Sequence, residues 1–187
     1  MQMIYLSRYK TSDYLLTAFN PSLQVLFARH KEKCLMGQCP TLVDIRRIWG
    51  SRCSETWVEI QLRDLAEYSG AREKPNILQI EEAARMICEE FYYLKLSELM
   101  LFFARFKTGH YGKFYGSVDL MAITEALQKF KYWRFDEISR IEEQRAIEDR
   151  AKAPTHDPES LTYEEWQELK WLYNMGYERD KKTGKIT

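Results

Sequence analysis

Apolar residues in this chain recur three and four positions apart, and no segment alternates long enough to make a half-buried strand. Ile80, Ala84, Ile87, Cys88 and Phe91 show the pattern most plainly. In a helix they share one stripe; in a strand they would scatter over both faces. The chain is therefore expected to be all-α.

Helix punctuation agrees. Ser12-Asp13 can start a helix over 12–19, and Asn20-Pro21 reads as an N-cap followed by a first-turn proline. A helix over 22–33 would place Leu23, Leu26 and Phe27 on one face before the break at 37–40. Thr41 with Asp44 has the form of a capping box for a short helix stopping at Gly50. Ser54 is expected to cap the next helix, with Trp57, Val58, Ile60, Leu62 and Leu65 as a broad apolar face ending before Gly70. After Pro75-Asn76 comes a helix over 77–91. Ser97 is expected to cap a helix over 99–106 that is apolar nearly all round. Ser117 is expected to cap the longest helix, 118–152, with Ile123, Leu127 and Phe130 facing the core. Beyond Ile141 its apolar stripe thins to Ile147.

These elements predict a helical bundle over 1–152, with a glycine-rich helix–loop–helix corner. Residues 153–160, with two prolines, read as a linker. Thr162 and Glu165 suggest another capping box, opening an appended amphipathic helix over 161–176, and 177–187 read as a polar, frayed tail.

Charge narrows the function. The 28 basic and 28 acidic side chains cancel, so any anion-binding surface must be local. Residues 1–103 are neutral, 104–134 carry +4 and 135–187 carry −4. The basic run interleaves Arg105, Lys107, Lys113, Lys129, Lys131 and Arg134 with seven aromatic rings. Gly109, Gly112 and Gly116 articulate it. Cations beside rings on a glycine loop suit phosphates and stacked bases. The same residues also suit an ordinary helix corner, with Gly109 after a helix end and Tyr111, Phe114 and Tyr115 plugging its base.

Other chemistries fit less well. Gly109 and Gly112-Lys113 are too close for a nucleotide-triphosphate loop, and Phe114 stands where that loop needs a hydroxyl. Gly109-His110-Tyr111-Gly112 spells the GxxG of a KH clamp, but that fold needs a sheet. His30, Cys34, Cys39 and Cys53 offer zinc-type ligands without a C-x2-C knuckle, so neither a metal nor another cofactor is expected. No nucleophile–base arrangement stands out among three histidines, and the chain is read as a non-enzyme. The four cysteines show no disulfide framework, no apolar run approaches a membrane span, and the N-terminal MQMIYLSRYKTSD lacks a signal peptide's core. A cytoplasmic protein without membrane contact is expected.

From Glu81 onward one pattern is more specific. Its first part runs through Glu81, Met86, Ile87, Glu90, Phe91, Leu94, Lys95, Glu98 and Leu99. A loop motif F-K-x-G-x-Y-G-K-x-Y-x-x-x-D follows on Phe106, Lys107, Gly109, Tyr111, Gly112, Lys113, Tyr115 and Asp119, and the pattern ends on Ile123 and Leu127. This resembles an uncharacterised family from Bacteroidetes genomes and their mobile elements, one with no established activity to carry over. The helix arrangement is also faintly similar to phage helicase loaders and replisome organisers, adaptors that serve a replicative helicase.

Two functions are therefore carried forward. The first is a non-enzymatic accessory protein of DNA metabolism on a mobile element. It would bind nucleic acid through Arg105, Lys107, His110, Tyr111, Lys113, Tyr115, Lys129 and Arg134. The second is a protein-interaction adaptor with a partner in the replication machinery. It would act through Tyr163, Trp166, Leu169, Trp171 and Tyr173 of the appended helix, which either docks on its own bundle or enters a partner's groove.

Overall fold

The structure is a computed structural model that describes residues 2–112, 118–152 and 162–175. Among these residues every element is helical, and the one β-type pairing is an isolated antiparallel bridge between Thr41 and Lys95. The helices are α1 Gln2–Tyr9, α2 Ser12–Ala18, α3 Gln24–Arg29, α4 Lys31–Met36, α5 Leu42–Trp49, α6 Ser51–Tyr68, α7 Ile77–Glu90, α8 Leu96–Lys107, α9 Leu120–Lys152 and α10 Tyr163–Asn174. A single 3-10 turn, Pro21–Leu23, precedes α3. The chain divides into two compact units, Met1–Glu143 and Gln144–Thr187.

In the first unit α8 is the central element. Every residue from Leu96 to Ala104 is buried, and Phe106 is too, so the LMLFF run is enclosed nearly all round as expected. Helices α3, α4 and α6 pack on it, and α6 in turn carries α5 and α7. From α9, Ile123, Leu127 and Phe130 are fully buried, with Phe130 edge-on to Phe102 at 5.5 Å. The stripe on α7 is buried in full: Ile80, Ala84, Ile87 and Cys88, with Phe91 just beyond. Each such large side chain contributes roughly 1.5–3 kcal/mol by leaving water.

Several helix starts differ from expectation, each for a local reason. Helix α6 begins at Ser51, because Gly50 at φ +91° ends α5 and lets α6 follow with no loop. Ser54 thus lies inside α6 and donates to the Ser51 carbonyl at 2.8 Å. Ser97 likewise lies inside α8, its hydroxyl donating to the Cys34 carbonyl at 2.9 Å. The α8 start is secured instead by Glu98, whose carboxylate accepts the Lys95 N–H at 3.0 Å. The helix expected over 22–33 breaks at His30 (φ −117°, ψ 48°) into α3 and α4, and it leaves Leu26 exposed. Helix α9 begins at Leu120, where Asp119 accepts the Met121 N–H at 2.8 Å. Ser117 lies outside the described residues, as do the expected linker over 153–160, Gly176 and the tail. Helix α1, assigned no element from sequence, buries Tyr5 and Tyr9.

The capping boxes read from sequence are present. Thr41–Asp44 opens α5 and Thr162–Glu165 opens α10, and Asn76–Gln79 adds a third at α7. In the second unit α10 buries none of its side chains.

Candidate nucleic-acid interface

The corner after α8 is built by a two-bond helix stop. Gly109 donates to the Phe106 carbonyl at 2.9 Å and His110 donates to that of Arg105 at 3.2 Å, the Schellman pattern. Gly109 holds φ +85° and Gly112 φ +104°, backbone that a side chain would strain. The turn aims Tyr111 back at the bundle. Its half-buried ring packs on Phe102 at 5.4 Å and Phe106 at 5.9 Å. Tyr111 thus plugs the base of the corner, the second role its sequence context allows, with its half-buried ring turned to Phe102 and Phe106. Burial raises its phenol pKa against the lowering effect of Arg105, so the hydroxyl stays protonated.

The basic residues divide by what neutralises them. Arg134 reaches inward to the fully buried Glu98, its Nε 2.9 Å from Oε1 but off the hydrogen-bonding axis. Of the cations expected to meet phosphate, it is the one committed to a fully buried carboxylate. Lys129 pairs with Glu125 one turn away at 2.7 Å in full solvent. Lys107 sits 2.5 Å from Asp64 of α6 and over the Tyr68 ring at 5.1 Å. Arg105 has no ion-pair partner among the described residues. Its guanidinium lies 3.9 Å over the Trp133 ring and donates from Nε to the Tyr111 hydroxyl at 3.1 Å. His110 is exposed beside it. Lys113 and Tyr115 lie outside the described residues.

Arg105, Lys107 and His110 line one hollow of about 530 Å³ between α3, α6 and α8. Its other walls come from residues far off in sequence: Gln24 and Lys31, with Asp64 and the exposed Tyr68. A smaller hollow of about 290 Å³ shares Tyr68, Lys107 and Thr108. Beneath the larger one runs a polar relay. Trp57 and Gln61 both donate to the Phe19 carbonyl at 3.0 Å, and Gln24 donates to Gln61 at 2.7 Å. The Gln24 side chain is 2% exposed, and its Oε1 meets no donor among the described residues. Lys31 is committed to Glu137 at 2.6 Å. Sequence reasoning missed this half of the site because no local motif joins positions 24, 64, 68 and 105.

No group of three or more His, Cys, Asp or Glu side chains among the described residues comes together as a metal site. Within the zinc-type set, Cys34 donates to the Phe27 carbonyl at 3.2 Å and Cys39 accepts the Ser97 N–H at 3.4 Å. Burial raises both thiols to about 11, and Cys88 to about 12, which keeps them protonated and poor nucleophiles. No helix among the described residues is long and apolar enough to cross a membrane.

A family profile described as a family of unknown function, DUF6633, matches residues 74–176, more than half of the chain. The chain belongs to DUF6633. Its matched segment begins just before α7 and takes in α8, the corner, α9 and α10. Arg105 and Lys107 thus lie inside the DUF6633 segment, whereas Gln24, Asp64 and Tyr68 come from the part that precedes it. No curated protein and no solved structure matches this DUF6633 chain.

The second candidate surface, on α10, is aromatic. Tyr163 stacks on Trp166 with centroids 6.2 Å apart, and Lys170 sits 4.7 Å above the Trp166 ring. Tyr163, Trp166, Trp171 and Tyr173 are exposed, and Leu169 is half-buried.

Proposed function

We propose that this DUF6633 protein is a non-enzymatic accessory protein of DNA metabolism on a mobile element, holding an unpaired nucleic-acid strand at the α8–α9 corner. Arg105 carries the reading. It is a half-buried guanidinium without a carboxylate partner among the described residues, fixed flat on Trp133 and by Tyr111, at the edge of a hollow that also holds Lys107 and His110. Such a cation binds phosphate without first being freed from an acid or ordered from solvent. The mobile-element setting rests on the resemblance of the F-K-x-G-x-Y-G-K loop.

With Arg134, Lys129 and Lys107 already paired, two or three phosphate contacts remain, rather than the five or more that the charge run suggested. On a single strand that number gives roughly a tenfold loss of affinity between about 50 and 200 mM salt. Fluorescence anisotropy with labelled single- and double-stranded DNA tests this. Arg105→Ala should abolish most of the salt-dependent binding while Lys129→Ala leaves it nearly intact. Equal losses from both, or no binding at either salt, would sink the proposal.

The exposed rings of α10 favour a second reading, an adaptor whose aromatic helix enters an apolar groove on a replication protein. That contact would resist salt and fail on Trp166→Ala.

A further inference from the structure

The hollow beside Arg105 gathers an aromatic ring, an acceptor and cationic or donor side chains in one lining. The Asp64 carboxylate accepts from Lys107 at 2.5 Å and, weakly, from Gln24 at 3.5 Å, and Gln24 Oε1 has no donor among the described residues. Tyr68, 62% exposed, lines the same hollow, as do the guanidinium of Arg105 and the imidazole of His110. The Asp64 charge is met by Lys107, whereas Arg105 meets no carboxylate among the described residues, so a phosphate is drawn to Arg105, with His110 as a second donor. A flat ring bearing N–H groups is suited to Tyr68 and the Asp64 carboxylate instead. A volume of about 530 Å³ falls in the range of sites that enclose one small organic ligand.

We infer that this hollow takes one nucleoside monophosphate unit, its base against Tyr68 and Asp64, its phosphate on Arg105 and His110. As a binding site for a strand the inference rests on the function proposed above, since the unit is then one unpaired nucleotide of that strand. As a chemical site it is independent, because a free nucleotide presents the same groups. The geometry accounts for a feature that a phosphate-only surface leaves without purpose, an exposed tyrosine held beside a lysine.

The test uses the full chain and three probes: dTMP, thymidine and inorganic phosphate. Each competes against a labelled twelve-residue oligo-dT, and direct binding of each is read by NMR shifts of ¹⁵N-labelled protein. The expected result is that dTMP binds at least tenfold more tightly than thymidine or phosphate alone and displaces the strand. Tyr68→Ala should weaken both dTMP and strand by about tenfold, the scale of one lost stacking contact. Asp64→Asn, nearly isosteric, should change the preference among the four monophosphates while the thermal midpoint reports that the fold is intact. If the strand binds but dTMP does not, or if Tyr68→Ala leaves strand affinity unchanged, the inference fails and the strand-binding proposal survives. Equal affinity for phosphate and dTMP also overturns it, leaving only an anion site. If dTMP binds as expected but no strand does, the hollow stands as a free-nucleotide site and the strand-binding proposal falls.

Discussion

Arg134→Ala separates a structural cation from a phosphate ligand. In the folded chain Glu98 is fully buried, and its carboxylate is compensated by three groups. These are the Lys95 N–H at 3.0 Å, the Lys95 ammonium at 3.9 Å and the Arg134 guanidinium at 2.9 Å. Removing one partner of a buried pair costs about 3–5 kcal/mol, because the remaining charge is left without compensation. Arg134 is about a quarter exposed and Lys95 stays in place, so the lower end applies, about 3 kcal/mol. For a folded unit of this size that lowers the thermal midpoint by roughly 8–10 °C. Glu98→Gln should be milder, about 1 kcal/mol, since the amide oxygen still accepts the Lys95 N–H and Arg134 can turn to water. The double variant, Arg134→Ala with Glu98→Gln, should lose less than the sum of the two single changes. Urea denaturation of the four proteins reads all of this. If Arg134→Ala loses under about 1 kcal/mol yet weakens DNA binding as much as Arg105→Ala, the assignment of Arg134 to the core is wrong.

Burial, outweighing Lys95 and Arg134, raises the pKa of Glu98, so the folded protein holds that proton to higher pH than the unfolded chain does. Its contribution to stability is full below the ordinary carboxylate range and is lost as pH rises through the raised value. Glu98→Gln should flatten that decline in a pH series of urea midpoints. Glu137 has the opposite sign: hydrogen bonds from Arg140 and Lys31 lower its pKa, so its contribution is lost as pH falls. Gly109→Ala forces a side chain into φ +85° at the Schellman stop and should destabilise by about 1 kcal/mol, with Gly109→Asn costing less; thermal melts would show the order. In the folded protein a thiol reagent at pH 8 should reach the half-buried Cys53 well before Cys34, Cys39 and Cys88; equal rates would contradict their burial. Trp171→Ala, at a position 61% exposed, should shift stability by less than about 0.5 kcal/mol, which calorimetry can resolve.

Helix identity was legible because it rests on local chemistry. The stripe from Ile80 to Phe91 and the Thr41–Asp44 and Thr162–Glu165 boxes need only residues within a few turns of one another. Ser54 and Ser97 misled for the same reason. Each has the side chain of a cap, but Gly50 starts α6 three residues before Ser54, and a carboxylate on Glu98 serves α8 while the Ser97 hydroxyl turns to Cys34. The break at His30 depends on α3 and α4 both meeting α8, a tertiary requirement that no residue in 22–33 announces.

The candidate site divides along the same line. Charge density along a sequence counts cations without their partners, and here the acids that neutralise Lys107 and Arg134 lie 43 and 36 positions away, at Asp64 and Glu98. Once those pairs form, the +4 run contracts to about half that charge, with Arg105 beside a shared Lys107 and His110. What the run lost in charge the fold supplied as shape, because Asp64 both cancels Lys107 and, with Tyr68, walls a hollow in front of Arg105. A surface with many free cations would bind any polyanion, with an affinity that falls steeply as salt rises. One guanidinium held by Trp133 and Tyr111 in a hollow that Asp64 also lines gives fewer and more directional contacts. The pairing that weakens the basic run as a general anion surface thus also shapes the hollow that Arg105 lines.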